Sequence, residues 1–213
     1  MRKLVLKMSM SIDGFVGGPN GEIDWLFKSM SELTNAWIVD AIAQAGVHIM
    51  GSKTYYDMKA YWPYSSDPVA APMNDMPKVV FTKKGLVPDG QTTTAIKDAT
   101  AADNAKGTVL TTESSKLDSW RNVTIASGDL AEEINKLKQQ PGGFILAHGG
   151  AGFVQNLIKA GLVDEYRLVI HPVVLGTGLP IFSKLLHPID MDLVSSTSLP
   201  LGVVANVYQP HRH

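Results

Sequence analysis

Three short segments of this 213-residue chain combine glycines, hydroxyls and ammonium groups in ways that suit a phosphate. His148 leads into Gly149-Gly150-Ala151-Gly152, with Phe153 and Val154 opening an apolar helical pattern behind them. Glycines let the backbone approach a bound group closely. A helix start adds unpaired N–H donors at the positive end of its dipole. The spacing is not the GxGxxG of a dinucleotide fingerprint, and taken alone it fits a tight strand-to-helix turn equally well. Gly51-Ser52-Lys53-Thr54 offers amides, two hydroxyls and an ammonium, but lacks the first glycine of a P-loop. Thr82-Lys83-Lys84 could hold a terminal phosphate. By themselves, the second and third segments read as solvated turns. All three follow a short apolar strand, however, so all three should lie on the carboxyl edge of one sheet. Open α/β sheets bind ligands along that edge, and a dinucleotide is a polyanion long enough to span it.

Other residues could take part. His148 suits substrate binding or proton donation, against the plainer reading of a strand-end histidine bonded to backbone. His171, before Pro172, divides the same way. Asp13, before Gly14, is first a turn residue and second a substrate contact. Metal chemistry has little to work with, because there are no cysteines and the six histidines form no HxxxH pair. A formal net charge of -1 without a long basic run disfavours nucleic acid as partner. No apolar run approaches the roughly 20 residues of a membrane span, and the N-terminus reads as a strand rather than a signal peptide. The cytoplasm is the expected location.

The elements that must position these groups follow from periodicity. Leu4, Leu6, Met8, Met10 and Ile12 alternate with Lys3, Val5, Lys7, Ser9 and Ser11, which predicts a strand over 3–12. The stretch Gly17 to Gly21 is a loop. Ser29 and Glu32 make a capping box, and Leu33, Trp37, Ala41 and Ala45 predict an amphipathic helix over 30–45. Short strands follow at 47–50, 78–82, 122–126 and 144–147. Asp129 caps a helix carrying Leu130, Ile134 and Leu137 on one face. A long strand starts at Tyr166, and strands near 192–197 and 203–208 form a hairpin. Residues 85–116 show little periodicity beyond Val109-Leu110 and read as an irregular insertion, with room for a small hairpin. No linker divides the chain, so residues 1–213 make one domain with a mainly parallel sheet covered on both faces.

Four segments carry a family resemblance: Met8 to Phe15; Met50 to Tyr55; His148 to Ala151; and Gly161 to Tyr166 continuing to His171-Pro172-Val173-Val174-Leu175-Gly176-Thr177-Gly178-Leu179-Pro180-Ile181-Phe182. The chain resembles the dihydrofolate-reductase-like superfamily, and within it stand-alone relatives of the reductase domain of the riboflavin-biosynthesis deaminase-reductase. The resemblance implies a three-layer α/β/α fold with a mostly parallel mixed sheet and an antiparallel C-terminal hairpin. It implies NADPH as hydride donor. Gly51, Ser52, Lys53 and Thr54 would lie along the phosphates, Thr82, Lys83 and Lys84 would face the 2′-phosphate, and Gly149 to Val154 would hold the pyrophosphate. Gly17 to Trp25 looks like the loop that closes over nicotinamide, bringing Asp24 and Trp25 toward a small-molecule substrate.

Departures from the pattern matter. Riboflavin-pathway reductases carry Asp-Asp-Pro after the strand-end Thr, where this chain has Tyr55-Tyr56-Asp57-Met58, and a Glu where it has His148. The deaminase zinc motifs are absent. Dihydrofolate reductases place a carboxylate five residues past the loop tryptophan, where this chain has Met30, so the resemblance implies a poor dihydrofolate reductase. The expected activity is NADPH-dependent reduction of a small heterocycle. A non-catalytic NADP-binding protein, a pterin reductase and a structural scaffold are the alternatives. Relatives are often dimers, and the apolar Val203, Val204, Val207 and Tyr208 near the chain's end fit a homodimer edge.

Overall fold

The computed structural model describes residues 1–213 except 88–91, 106–113, 184 and 212–213. The chain opens with β1 (Leu4–Ser11), a short helix α1 (Asp24–Phe27), then α2 (Glu32–Ile42) and β2 (Ala45–Gly51). Next come α3 (Ser52–Tyr61), α4 (Ala70–Asp75), β3 (Lys78–Phe81), α5 (Thr94–Ala105) and α6 (Ser114–Arg121). The second half holds β4 (Thr124–Ala126), α7 (Leu130–Gln139), β5 (Phe144–Ala147), α8 (Ala151–Lys159), β6 (Glu165–His171), β7 (Met191–Ser198) and β8 (Val204–Pro210).

The eight strands form one sheet in the order β4-β3-β2-β5-β1-β6-β8-β7. From β4 through β6 every neighbouring pair is parallel, and the two C-terminal strands run antiparallel. Helices cover both faces. On one, α7 and α8 bury Ile134, Val154, Leu157 and Ile158 against Leu4, Leu6, Ile49 and Ile145. On the other, Ile38, Ile42, Tyr55, Met73 and Trp120 of α2, α3, α4 and α6 pack on Val5, Met50, Val80, Leu146 and Val169. At about 1.5–3 kcal/mol for each large apolar side chain fully buried, these two cores hold the layers together. Asp129 caps α7 as expected, accepting from the backbone N–H groups of Ala131 and Glu132.

Three expectations need correcting. The cap of α2 is Ser31, whose hydroxyl accepts from Thr34 N, not Ser29. Ser29 is drawn away by a long-range partner, His171 Nδ1, 2.8 Å from its hydroxyl. The buried face of α2 is consequently Thr34, Ile38, Ala41 and Ile42, while Leu33 is 61% exposed. Second, the segment read as an irregular insertion is largely helical where it is described. Asp57 receives Thr93 N and its hydroxyl at the entrance to α5, which packs on α3 and α1. The proposed hairpin around Val109-Leu110 lies outside the described residues. Third, β8 is not an edge: it pairs with β6 on one side and β7 on the other, and Val203 is 1% exposed. The edge strand on this side is β7, which has no buried residue.

Candidate functional site

Parallel pairing puts the carboxyl ends of β3, β2 and β5 side by side on one edge. The three phosphate-suited segments leave from those three ends. Gly51 is the N-cap of α3, so Ser52, Lys53 and Thr54 form its first turn rather than a free loop. Thr54 Oγ1 accepts from Gly150 N at 2.6 Å, tying the β2 and β5 exits together. Phe153, in the first turn of α8, stands 5.1 Å from Phe81 at the end of β3. A Cβ on Gly51 would come into contact with Phe153 Cβ at 3.4 Å, so α8 packs directly against the exit of β2.

The backbone here is left open. Neither α3 nor α8 has a side chain bonded to its N-terminal N–H groups. A Cβ added at Gly152 would meet nothing within 4 Å. The uncapped donors of Ala151, Gly152 and Phe153 thus border unfilled space at the positive end of a nine-residue helix. Gly149 and Gly150 differ from Gly152. A Cβ at Gly149 would touch Met8 at 3.4 Å, and one at Gly150 would reach Thr54 Oγ1 at 3.1 Å. Both face neighbouring side chains rather than free space, and only the contact at Gly150 is tight. Lys83 and Lys84 are exposed just past β3. The Thr82 hydroxyl is occupied, donating to Gly85 O and accepting from Lys84 N, so it shapes the turn that presents the lysines. This donor set, with backbone amides beside exposed ammoniums, fits a dinucleotide diphosphate with a further phosphate near Lys83 and Lys84.

The next strand along the edge is β1, and it carries what the sequence reading missed. Val5, Lys7, Ser9 and Ser11 alternate on the face covered by α2 and α3. Val5 and Ser11 are fully buried, whereas Lys7 and Ser9 stay half-buried although β1 is a central strand. The helical layer therefore has an opening above the middle of β1. Lys7 makes no hydrogen bond or ion pair among the described residues. Burial holds its ammonium down to about 8, with Asp67 pulling the other way. An ammonium kept in a site that desolvates it is a functional candidate, because an apolar residue there would be cheaper. The signal in the sequence was a conflict: a strand with one polar face in a sheet with both faces covered.

Two histidines flank this opening. His148 continues β5 beside Lys7, and its Nε2 lies 2.7 Å from His48 Nδ1. It is 7% exposed, and burial, aided by His48 and Lys7, holds its pKa well below 6.5. His148 is therefore neutral at pH 7, so an imidazolium proton donor is excluded there. His171 is fully buried, its Nδ1 on Ser29 and its ring edge-to-face with Trp25 at 5.6 Å; burial, then Lys7, lowers its pKa to about 4.

The remaining candidates sit as follows. Asp13 is committed to structure: its carboxylate accepts from Ser11 Oγ, Leu175 N and Gly176 N, pinning the loop after β6. Asp24 is exposed at the start of α1 and makes no hydrogen bond or ion pair among the described residues. Trp25 is 5% exposed and donates to Glu22 O, so it packs under its loop and beside His171. Met30 is half-buried among the apolar side chains under α2. Glu32, freed from the expected capping box, faces solvent. No group of acidic, histidine or cysteine side chains suited to a metal occurs among the described residues, and no helix there is long and apolar enough to cross a membrane.

Comparison with known proteins agrees with this architecture. The family model of the RibD C-terminal domain matches residues 2–205. The uncharacterized protein YyaP of Bacillus subtilis is 30% identical over 207 residues, spanning 97% of this chain and 94% of its own length. A protein from Shewanella sp. PV-4 named for riboflavin biosynthesis superposes with a TM-score of 0.71 at 20% identity, covering all of both chains. Dihydrofolate reductase from Enterococcus faecalis, solved with NADP(H), superposes with a TM-score of 0.56 at 13% identity, covering 99% of this chain and 97% of its own. The last two show the fold, which is dihydrofolate-reductase-like.

Proposed function

The chain belongs to the RibD C-terminal domain family, and from that premise we propose that it is an NADPH-dependent reductase of a small heterocycle, of the riboflavin-pathway type with altered substrate positions. The observation that carries this reading is a juxtaposition. Uncapped N–H donors at α8, with free space over Gly152, lie one strand from an opening that holds the unpaired Lys7 ammonium. Adjacent strands are about 4.8 Å apart, so a cofactor along the edge and a ring over β1 would meet.

When bound, NADPH supplies a hydride. Ala151, Gly152 and Phe153 would hold its diphosphate through backbone N–H groups, and Lys83 and Lys84 would face its 2′-phosphate. Lys7 Nζ keeps its proton at pH 7 and, with a pKa near 8, can release it to a substrate atom close to the working pH. Lys7 thus replaces Asp24 and His148 as the proton donor of this reading. Trp25 and its loop cover the outer side of His171 and keep water from that end of the opening.

Titration with NADPH and NADH tests the proposal. NADPH should bind about 10- to 150-fold more tightly, the effect of a charge-assisted contact of about 1.5–3 kcal/mol, and the double change Lys83→Ala, Lys84→Ala should remove most of that preference. Equal affinity for the two cofactors in the unmodified protein would refute it.

We further propose a homodimer, formed through β7 rather than β8. Leu193 and Val194 on this edge strand are 58% and 55% exposed, an arrangement that favours pairing with another copy. Light scattering at micromolar concentration should give twice the chain mass. A monomeric mass there would remove the assignment.

A further inference from the structure

A histidine that lines a pocket can present either an N–H or a lone pair, and its remote neighbours decide which. Here a chain of contacts leads away from the opening across β5 and β2. His148 Nε2 is 2.7 Å from His48 Nδ1, and the two ring planes are 13° apart. His48 Nε2 in turn is 3.0 Å from Met76 Sδ, at the end of α4. A thioether sulfur accepts and cannot donate. The His48 proton therefore sits on Nε2, facing the sulfur, and the Pro72 carbonyl of α4 offers this ring a second acceptor. Both rings are neutral: burial brings His48 to about 3, Lys78 adding to the effect, and His148 well below 6.5. A neutral imidazole has one N–H, so His48 Nδ1 is a bare lone pair. It accepts from His148 Nε2, which leaves His148 Nδ1 without a proton.

That last atom has no hydrogen-bond partner among the described residues. It is also absent from the fully enclosed unpartnered atoms, which are Arg2 Nη2, His171 Nε2 and Asn206 Oδ1. It is therefore not fully enclosed, on a ring that is 7% exposed. Lys7 lies beside it, because β1 and β5 run in register with Leu6 opposite Ala147. Lys7 Nζ likewise has no partner and is not enclosed. The opening therefore offers a donor, the ammonium, next to an acceptor, the imidazole lone pair.

We infer that His48, anchored on α4 by Met76 Sδ and the Pro72 carbonyl, is a positioning residue that holds His148 as a hydrogen-bond acceptor, so that with Lys7 the pocket takes the lactam edge of a heterocycle, its ring N–H on His148 and the adjacent carbonyl on Lys7. This rests on reading the opening as the substrate side of a reductase. It makes the tautomer of this histidine pair the feature that demands an N–H on the bound ring. A ring with two acceptors or a methylated nitrogen would face the lone pair with nothing to donate.

The tautomer and the selectivity can be measured separately. In protein labelled with ¹⁵N on histidine, His148 should show a protonated Nε2 and an unprotonated Nδ1. The change His48→Phe removes the lone pair that His148 Nε2–H donates to while keeping a planar ring, and the His148 nitrogens should then shift toward a tautomer mixture. For selectivity the probes are lumazine, a pteridine-2,4-dione, and its N3-methyl derivative, followed by fluorescence in protein saturated with NADP⁺. Unmodified protein should prefer lumazine by about tenfold to about a hundredfold, the effect of leaving one buried polar group unpaired. His48→Phe should bring the two within about threefold while NADP⁺ affinity holds. A protonated His148 Nδ1, no binding of lumazine, equal binding of both probes to unmodified protein, or full preference in His48→Phe would each overturn the inference. If NADP⁺ itself failed to bind, the reductase reading would fall, and the ¹⁵N spectrum would still decide the tautomer.

Discussion

At the ends of β3, β2 and β5 the crevice is built from main chain: an uncapped helix start, a glycine facing free space, and turns that hold two lysines in solvent. At His148, just past β5, and one and two strands further on at Lys7 and His171, the same sheet is lined with ionisable side chains taken out of water. The first region puts few buried polar side chains at risk, because its donors are backbone groups that any helix start leaves over. The second withdraws an ammonium and imidazoles from solvent, and a group of that kind left unpaired costs about 1–3 kcal/mol or more. The contrast separates a part that recognises a generic polyanion from a part that discriminates one ring from another.

The largest test of this contrast is dihydrofolate. If the side-chain half determines the chemistry, the fold alone should not confer dihydrofolate turnover. Met30 cannot protonate a pterin, and Glu32 faces solvent. Losing a general acid lowers rates by about 10²–10⁴, so turnover at saturating NADPH should lie at least that far below an authentic dihydrofolate reductase. Robust turnover in a steady-state assay would mean that the backbone half suffices, or that Lys7 serves pterins as well.

A smaller effect separates glycines within the backbone half. Gly152 borders free space, so Gly152→Ala should fold normally and gain up to about 1 kcal/mol from helix propensity. Its methyl group should nonetheless weaken NADPH binding by about tenfold, since close backbone approach is the reason for glycine there. Gly150→Val should behave in the opposite way and lose thermal stability, because its Cβ would press on Thr54 at 3.1 Å. Melting curves with and without NADPH would distinguish the two. Equal NADPH affinity in Gly152→Ala would place the diphosphate elsewhere.

The smallest effect is on stability and belongs to the side-chain half. His48, His148 and His171 are neutral in the fold, with pKa values depressed to about 3, well below 6.5, and to about 4. In the unfolded chain each takes up a proton below about 6.5. The unfolded state then binds more protons than the native one, so stability is full above pH 6.5 and falls as pH drops toward 4. Each histidine contributes a slope of about 1.4 kcal/mol per pH unit in that window. Urea melts at pH 7 and pH 5 should show it. A pH-independent midpoint would mean that these rings are solvated in the native state.

The sequence alone carried the layered fold, the position of most strands and the three loops, because alternation, helical spacing and glycine turns are local signals read within one element. It also pointed to the carboxyl edge, since the loops share a place in the strand-loop pattern. Tertiary structure alone decided the rest. Ser29 reads as a helix cap until His171, distant in sequence, takes its hydroxyl. Residues 94–105 lack a strong apolar stripe, and only α3 and α1 beneath them supply the packing that makes α5. Lys7 is one of the alternating residues of a strand in the sequence, and only its place between β5 and β6 reveals a desolvated ammonium. The tautomer of His148 depends on His48 and Met76, 100 and 72 positions away along the chain. Such contacts arise where strands remote in sequence are neighbours in the sheet, and no local periodicity encodes them.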